Sequence, residues 1–359
     1  MKVTFLLPGR GWKPVGGVKV VYEYANCLSR KGHEVTVIHP ALLDRNTPLL
    51  ARPKKCARYL QSHLDHSYLP SPWFSMDPRV RMLWTWSLAP QYIPDGDAII
   101  ATAWQTSEWV ADYPDNKGKK FYLIQHWENW DGVSEDRLTH TWTRPLQKIA
   151  ISRWLQDRAT ELGEAAEYAP NGLDFSAFGL DVPIAQRDSV AIFMLYHEQP
   201  WKGTSDGLEA LKRVQHRHPA LRVHLFGTPA KARQLPDWAE YHRLPPQRFL
   251  RQLYNESAIF LSPSWAEGWP LPPAEAMQCG AAVVATDIGG HREFLENGVN
   301  GLLRPARDPG ALAEAVSQLV EHPNLRIQYA RRGHESIQQF TWERACDRME
   351  RILATPRAP

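Results

Sequence analysis

Short β-branched runs alternate with segments of helical period twice along this chain of 359 residues, and that pattern leaves little room for anything but parallel α/β architecture. Val3 to Leu7 is a buried-strand run stopped by Pro8-Gly9. A glycine-containing loop follows, and from Gly17 the apolar positions Val18, Val21, Tyr22, Ala25 and Leu28 recur at helical spacing. Val35 to His39 is the next strand. Strand, loop, helix and strand in that order imply a right-handed parallel crossover, whose ligands bind at the carboxyl ends of the strands. Ala98–Ala101, Phe121–Ile124 and Lys148–Ile151 extend the same sheet, whereas residues 40–95, rich in Pro, Arg and aromatics, read as irregular. A first domain is therefore expected over residues 1–170 and a linker over 171–188, where periodicity is weak. The second series fills residues 189–341, with strands at Val190–Leu195, Leu221–Phe226, Ala258–Ser262 and Ala281–Ala285 and helices at Thr204–His216, Pro246–Asn255 and Pro272–Cys279.

Charge and cysteine content remove several function classes. Forty-two Lys and Arg against 39 Asp and Glu give a net charge of +3, which offers no basic face to nucleic acid. Four cysteines, Cys27, Cys56, Cys279 and Cys346, include no C-x-x-C pair, so neither a disulfide framework nor a zinc site is expected, and a reducing cytoplasm suits the chain. No apolar run approaches a membrane span or a signal-peptide core. The third glycine of a dinucleotide fingerprint would fall at Pro14, and Gly17-Val18 stands where a phosphate loop needs Lys and Ser or Thr. Asp95-Gly96-Asp97 precedes its strand and reads as a turn.

The stretch from Leu261 to Gly280 passes from a strand through an acidic, Trp-flanked loop into a helix. Pro272 and Pro273 suit the first helical turn and Gly280 its end. Glu275 then sits about one turn into the helix and Glu267 in the loop before it, so that two carboxylates border a helix N-terminus that favours an anion. Carboxylates beside an anion site suit a polyhydroxylated ligand carrying phosphate.

Glu267 and Glu275, with Ser262-Pro263-Ser264 before them and Ala276-Met277 after, resemble the E-x7-E motif of retaining glycosyltransferases of the GT-B fold, family 4. The resemblance continues through Gly16-Gly17, Pro170-Asn171-Gly172-Leu173-Asp174, Lys202-Gly203, Gly289-Gly290-His291-Arg292-Glu293, Asn297-Gly298 and Phe340-Thr341-Trp342-Glu343. It implies an α/β GT-B fold, two Rossmann-like domains with parallel sheets facing across a cleft, the first binding acceptor and the second donor, with the helix at 342–359 packing back on the first. It also implies transfer of a sugar from a nucleoside diphosphate sugar to a saccharide or lipid-linked acceptor, with no cofactor and no metal, in cell-envelope polysaccharide or glycoconjugate assembly.

Carried over residue by residue, the resemblance makes His126, Glu267 and Lys202 catalytic. Gly16, Gly17, His197, Lys202, Gly268, Trp269, Pro270, Leu271 and Glu275 would hold the donor, with Glu275 on the ribose and Lys202 on the diphosphate. Family members commonly carry Arg at the position of His197 and Gly at that of Pro270. Among the 15 tryptophans, Trp104, Trp127 and Trp130 suit an acceptor by stacking on sugar faces. Arg52, Lys54, Lys55 and Arg58 form a basic stretch suited to peripheral contact with the inner face of the cell membrane. A nucleotide-sugar epimerase or hydrolase of the same fold, or a non-catalytic carbohydrate- or nucleotide-binding protein, is the alternative. The base, the sugar, the acceptor and the oligomeric state are not encoded in any of these motifs.

Overall fold

The computed structural model describes residues 1–45, 52–129, 132–230 and 235–355. The chain forms two compact units, Met1–Gly172 together with the segment from Trp342 onward, and Leu173–Thr341.

The first unit holds β1 (Lys2–Leu6), α1 (Gly16–Arg30), β2 (Glu34–Leu42), α2 (Arg52–Asp65), β3 (Arg81–Ser87), β4 (Ala98–Ala101), α3 (Trp104–Ala111), β5 (Lys119–Ile124), α4 (Glu135–Trp142), β6 (Gln147–Ala150), α5 (Arg153–Glu161) and β7 (Ala166–Tyr168). All seven strands pair in parallel in the order β3-β2-β1-β4-β5-β6-β7. Central strands are covered on both faces, which is why β4 reads as the unbroken apolar run Ala98-Ile99-Ile100-Ala101, every residue of it buried.

The second unit holds β8 (Ala191–Leu195), α6 (Thr204–Arg217), β9 (Arg222–Gly227), β10 (Ala239–Arg243), α7 (Gln247–Glu256), β11 (Ile259–Ser262), α8 (Leu271–Gln278), β12 (Ala282–Thr286), β13 (Leu302–Arg304), α9 (Pro309–Glu321) and α10 (Pro323–Ile337). Its six strands run parallel in the order β10-β9-β8-β11-β12-β13. Ile192, Met194, Leu225, Leu261 and Val284 pack with Leu211 and Val214 of α6 and Leu312, Val316 and Leu319 of α9 into one apolar core. Two parallel sheets with covering helices are the expected fold class.

Three expectations differ from the structure. Residues 40–95 are not irregular throughout, since β2 extends to Leu42 and α2 and β3 lie within the described part of that range. The helix escapes notice because its apolar residues are few, with Leu60 and Leu64 exposed, and the strand because its tryptophans pack sideways: Trp84 stacks on Tyr68 with centroids 5.7 Å apart. Residues 173–188 are not a free linker. Buried Arg187 donates to Tyr254 O, Ser257 O and Cys279 O, and Asp181 pairs with Arg251, which fastens the segment to the second unit.

The cysteine reading also needs correction, because Cys27 of α1 and Cys346 of the last helix, α11 (Trp342–Ala354), form a disulfide across a separation of 319 residues. Proximity along the chain says nothing about a pair that only tertiary packing assembles. Around it, Lys31 pairs with Asp347 at 2.6 Å and Glu350 at 2.7 Å, His33 meets Glu350 at 2.7 Å, and Tyr24 packs edge-on against Trp342 at 5.4 Å.

Opening the cross-link, by reductant or by Cys346→Ser, is expected to cost about 2–4 kcal/mol of stability, since it releases a very long loop in the unfolded chain. Denaturation with and without reductant measures it, and coincident midpoints would refute the cross-link. A second expectation concerns pH. Burial holds His39 and His291 down to about 4, below the usual 6.5. Between those values the unfolded chain binds protons that the folded chain refuses, so stability is full above about pH 6.5 and falls as pH drops toward 4. Each ring accounts for at most about 3 kcal/mol. Urea midpoints from pH 7.5 to 4.5 should fall less steeply in His39→Gln than in the wild type; equal slopes would exclude His39 as a source.

Candidate functional site

The strand order of the second sheet reverses between β8 and β11, and at such a switch point the loops beyond the carboxyl ends diverge and leave room for a ligand. Lys202 comes from the loop after β8 and Glu267 from the loop after β11, so the two loops that flank the switch point each contribute one charge. Lys202 Nζ donates to both carboxylate oxygens of Glu267 at 2.8 Å, and Ser264 Oγ donates to Oε1 at 2.8 Å. Glu267 is only 8% exposed, a burial that a carboxylate tolerates only with such partners.

Two glycines let the loops close on this pair. Gly203 adopts φ +65°, and a Cβ there would lie 2.0 Å from Pro263 O. A Cβ on Gly290, in the loop after β12, would lie 2.5 Å from Glu267 O. Neither position admits a side chain. His291, next to Gly290, is held by Ser262 Oγ, which donates to Nε2 at 2.8 Å, and by its own Nδ1–H, which donates to Thr286 O at 2.8 Å.

Glu275 is 7% exposed in the second turn of α8 and accepts from the Tyr254 hydroxyl at 3.1 Å. Burial, then Glu275 itself, raises the Tyr254 phenol far above its usual pKa, so it stays a neutral donor. Pro270 occupies the N-cap of α8 and Leu271 its first position. Trp269 is buried against Phe294 and Phe340, and its indole N–H has no hydrogen-bond partner among the described residues. A buried donor left so costs about 1–3 kcal/mol unless water or ligand satisfies it.

His197 differs from the pH-dependent cation that its place suggests. Its pKa is lowered by burial and then by Lys202, and Nδ1 accepts from the Gln199 amide at 3.0 Å. The ring is therefore neutral at pH 7, with its proton on Nε2, where it can donate but carries no charge.

In the first unit Gly16 and Gly17 open α1, whose N-cap, Val15, offers no capping side chain. The first amides of that helix are thus not claimed by a side-chain cap, the arrangement that suits an anion. Gly17 faces Gln125, since a Cβ on Gly17 would stand 3.3 Å from Gln125 Oε1. That brings the glycine loop and the segment after β5 together. His126, the next residue, donates from Nδ1 to Trp127 O at 2.9 Å, which makes Nε2 the acceptor atom of the ring, and Trp154 stands edge-on to it at 6.0 Å.

Two of the three proposed acceptor tryptophans are engaged in packing. Trp104 is buried, with Arg137 over its ring at 4.6 Å, and Trp127 lies against Trp142 at 5.1 Å and under Arg158 at 4.4 Å. Trp130 lies outside the described residues. Asp95 pairs with Lys117 at 2.7 Å and Asp97 accepts the Lys2 amide at 2.6 Å, so this acidic turn is used structurally. Sequence reasoning missed Tyr254, on a helix remote in the chain from Glu275, and the packing reason for Gly203 and Gly290. The signal for the glycines, that each follows a strand end, was present.

Comparison with known proteins agrees with this architecture. Residues 189–322 match the family model of glycosyl transferases group 1. A phosphatidyl-myo-inositol mannosyltransferase of Mycobacterium tuberculosis is 28% identical over 229 residues, 58% of this chain and 59% of that protein. A D-inositol 3-phosphate glycosyltransferase of Geodermatophilus obscurus is 32% identical over 203 residues, 50% of this chain and 44% of the relative. The matched region thus spans at most about three fifths of these curated relatives. Among solved structures, Anabaena Alr3699/HepE in complex with UDP and glucose superposes with a TM-score of 0.73 at 18% identity, covering 99% of both chains. An S. aureus TarM variant in complex with fondaparinux, α-GlcNAc-glycerol and UDP gives 0.74 at 11% identity, covering 99% of this chain and 100% of the other. The topology of both sheets and the superposition on these structures give this chain the GT-B fold, and residues 189–322 of its second unit are similar to the group 1 glycosyl transferases.

Proposed function

We propose that this chain is a retaining glycosyltransferase that moves a sugar from a nucleoside diphosphate sugar to a saccharide or lipid-linked acceptor without a metal, in cell-envelope polysaccharide or glycoconjugate assembly. The observation that carries the reading is the pairing of buried Glu267 with the partly exposed Lys202 at the switch point of the second sheet, with Glu275 on the adjoining helix. Breaking a glycosyl phosphate bond builds negative charge on the leaving oxygen. A fixed ammonium stabilises that charge more in the transition state than in the bound donor, which is what accelerates the step.

In this reading Lys202 neutralises the diphosphate while Ser264 keeps Glu267 oriented beside the donor sugar. Glu275 accepts the ribose hydroxyls, with Tyr254 fixing its rotamer. His197, being neutral, contributes a hydrogen bond to phosphate where an arginine would contribute charge. His126 is the catalytic candidate that the first unit supplies. Gly268, Trp269, Pro270 and Leu271 form the backbone of the sugar subsite, and the Trp269 indole is a donor for it. Because Alr3699/HepE and TarM were solved with UDP, a UDP-sugar is the first donor to try.

The test is calorimetric titration of UDP, GDP, ADP and dTDP without added metal, followed by product analysis with the sugar donor of whichever nucleotide binds. One nucleotide should bind selectively. Glu275→Ala should weaken it roughly ten- to hundredfold, the worth of one hydrogen bond to a charged acceptor, and His197→Arg should tighten it several-fold by adding charge. Lys202→Ala should lower kcat by about 10²–10³. Product of inverted configuration would overturn retention. Donor consumption without an acceptor would mean an epimerase or hydrolase, and binding without turnover a silent binding protein.

No described helix is long and apolar enough to cross a membrane. We assign the chain to the cytoplasm, with α2 making peripheral membrane contact through exposed Leu60 and Leu64 beside Lys54, Lys55 and Arg58. The protein should sediment with anionic vesicles but not with neutral ones, and indifference to vesicle charge would overturn the membrane contact.

A further inference from the structure

The edge of the second sheet carries a cluster that sugar transfer does not use. β10 is the outermost strand and pairs with β9 in parallel, with Glu240 opposite His224 and His242 opposite Phe226. Because side chains alternate along a strand, Glu240 and His242 share a face, and their cross-strand neighbour His224 lies on it too. His224 Nδ1 stands 3.1 Å from His242 Nε2 and 3.6 Å from Glu240 Oε2. One ligand atom from each of the three residues lies within 4.8 Å of the other two. Phe249 of α7 packs edge-on against the His242 ring at 5.2 Å and limits its rotation.

We propose that His224, Glu240 and His242 form a site for a divalent transition metal of the zinc class. With metal–ligand bonds of about 2.05 Å, the separations of 3.1 and 3.6 Å from His224 Nδ1 to His242 Nε2 and Glu240 Oε2 subtend roughly 100° and 120° at a common centre, two angles that a tetrahedral ion accommodates, and exposed Glu240 can adjust to complete the third. Two imidazoles and one carboxylate suit zinc, nickel or copper, while magnesium and calcium demand more oxygen ligands. The histidine side chains are largely buried and Glu240 is 67% exposed, so the ion has a solvent entry side and room for a water as fourth ligand. Its effect is to clamp the edge strand to its neighbour, on β9 and β10, whereas Lys202 and Glu267 follow β8 and β11. This site does not depend on the function proposed above.

The experiment is calorimetry and thermal denaturation of the full chain, free of any affinity tag, titrated with Zn²⁺ and separately with Mg²⁺ at pH 7.5. Wild type should take up one equivalent of Zn²⁺, gain thermal stability with it, and ignore millimolar Mg²⁺. Glu240→Gln, a surface change that leaves the fold alone, should weaken zinc binding at least about tenfold, and His224→Gln with His242→Gln should abolish it. Far-UV circular dichroism of the metal-free proteins should be the same in all three, which separates loss of the site from loss of the fold. Co²⁺ should give a visible absorption band with the wild type only. Zinc uptake equal in wild type and the double variant, or no uptake by wild type, would overturn the proposal and leave a His–His hydrogen bond.

Discussion

A carboxylate in a protein interior is tolerated only where a cation and hydrogen-bond donors take the place of the water it has lost. Glu267 meets that condition through Lys202 and Ser264, and much of the second unit's carboxyl edge follows from it. The lysine reaches the carboxylate because the loops after β8 and β11 press backbone to backbone, which only Gly203 in a left-handed conformation allows. The loop after β12 closes from the other side, which only Gly290 allows. His291 then ties that loop to Ser262 at the end of β11. The charge pair, the glycines and the neutral histidine are thus parts of one packing solution: losing Lys202 or His291 leaves a buried polar group short of a partner, and a side chain at either glycine forces the loops apart.

Lys202 is a structural counter-ion to Glu267 and, in the function proposed above, also the partner of the donor phosphate. In the described chain its charge is held by Glu267, so an incoming anion would meet an ammonium that is already placed. Such a group needs little reorganisation at the moment of reaction, which is the condition under which electrostatic stabilisation is most effective. The neutrality of His197 has the same origin, because burial beside Lys202 disfavours a second positive charge.

The first unit applies the same topology with different chemistry. Its sheet also reverses order, between β1 and β4, and Gly16 and Gly17 stand after β1. Its tryptophans are mostly absorbed in aromatic and cation–π packing. A ring that already carries an arginine on one face and is buried elsewhere contributes to rigidity before it contributes to recognition. The last helix is held by a disulfide and charged pairs that draw on residues more than 300 positions apart.

Strand and helix identity was legible wherever a segment is buried on a fixed face, because hydrophobic period is a local property. The strand over Ala98–Ala101 and the helix beginning at Thr204 were both read at their observed positions. Reading failed at α2, whose leucines face outward, and at β3, whose aromatics pack sideways, because there burial does not follow the period. The E-x7-E spacing announced two carboxylates near a helix start, since the turn after a strand is short and the helix rise is regular. Sequence by itself therefore determined the alternating α/β order, the parallel sheets and the short-range placement of Glu267 and Glu275. Only the tertiary structure decided that Lys202 pairs with Glu267, that Tyr254 holds Glu275, that His197 is neutral and that Cys27 meets Cys346. Each of these depends on desolvation and on distances between segments far apart in the chain, and neither quantity is written in local sequence.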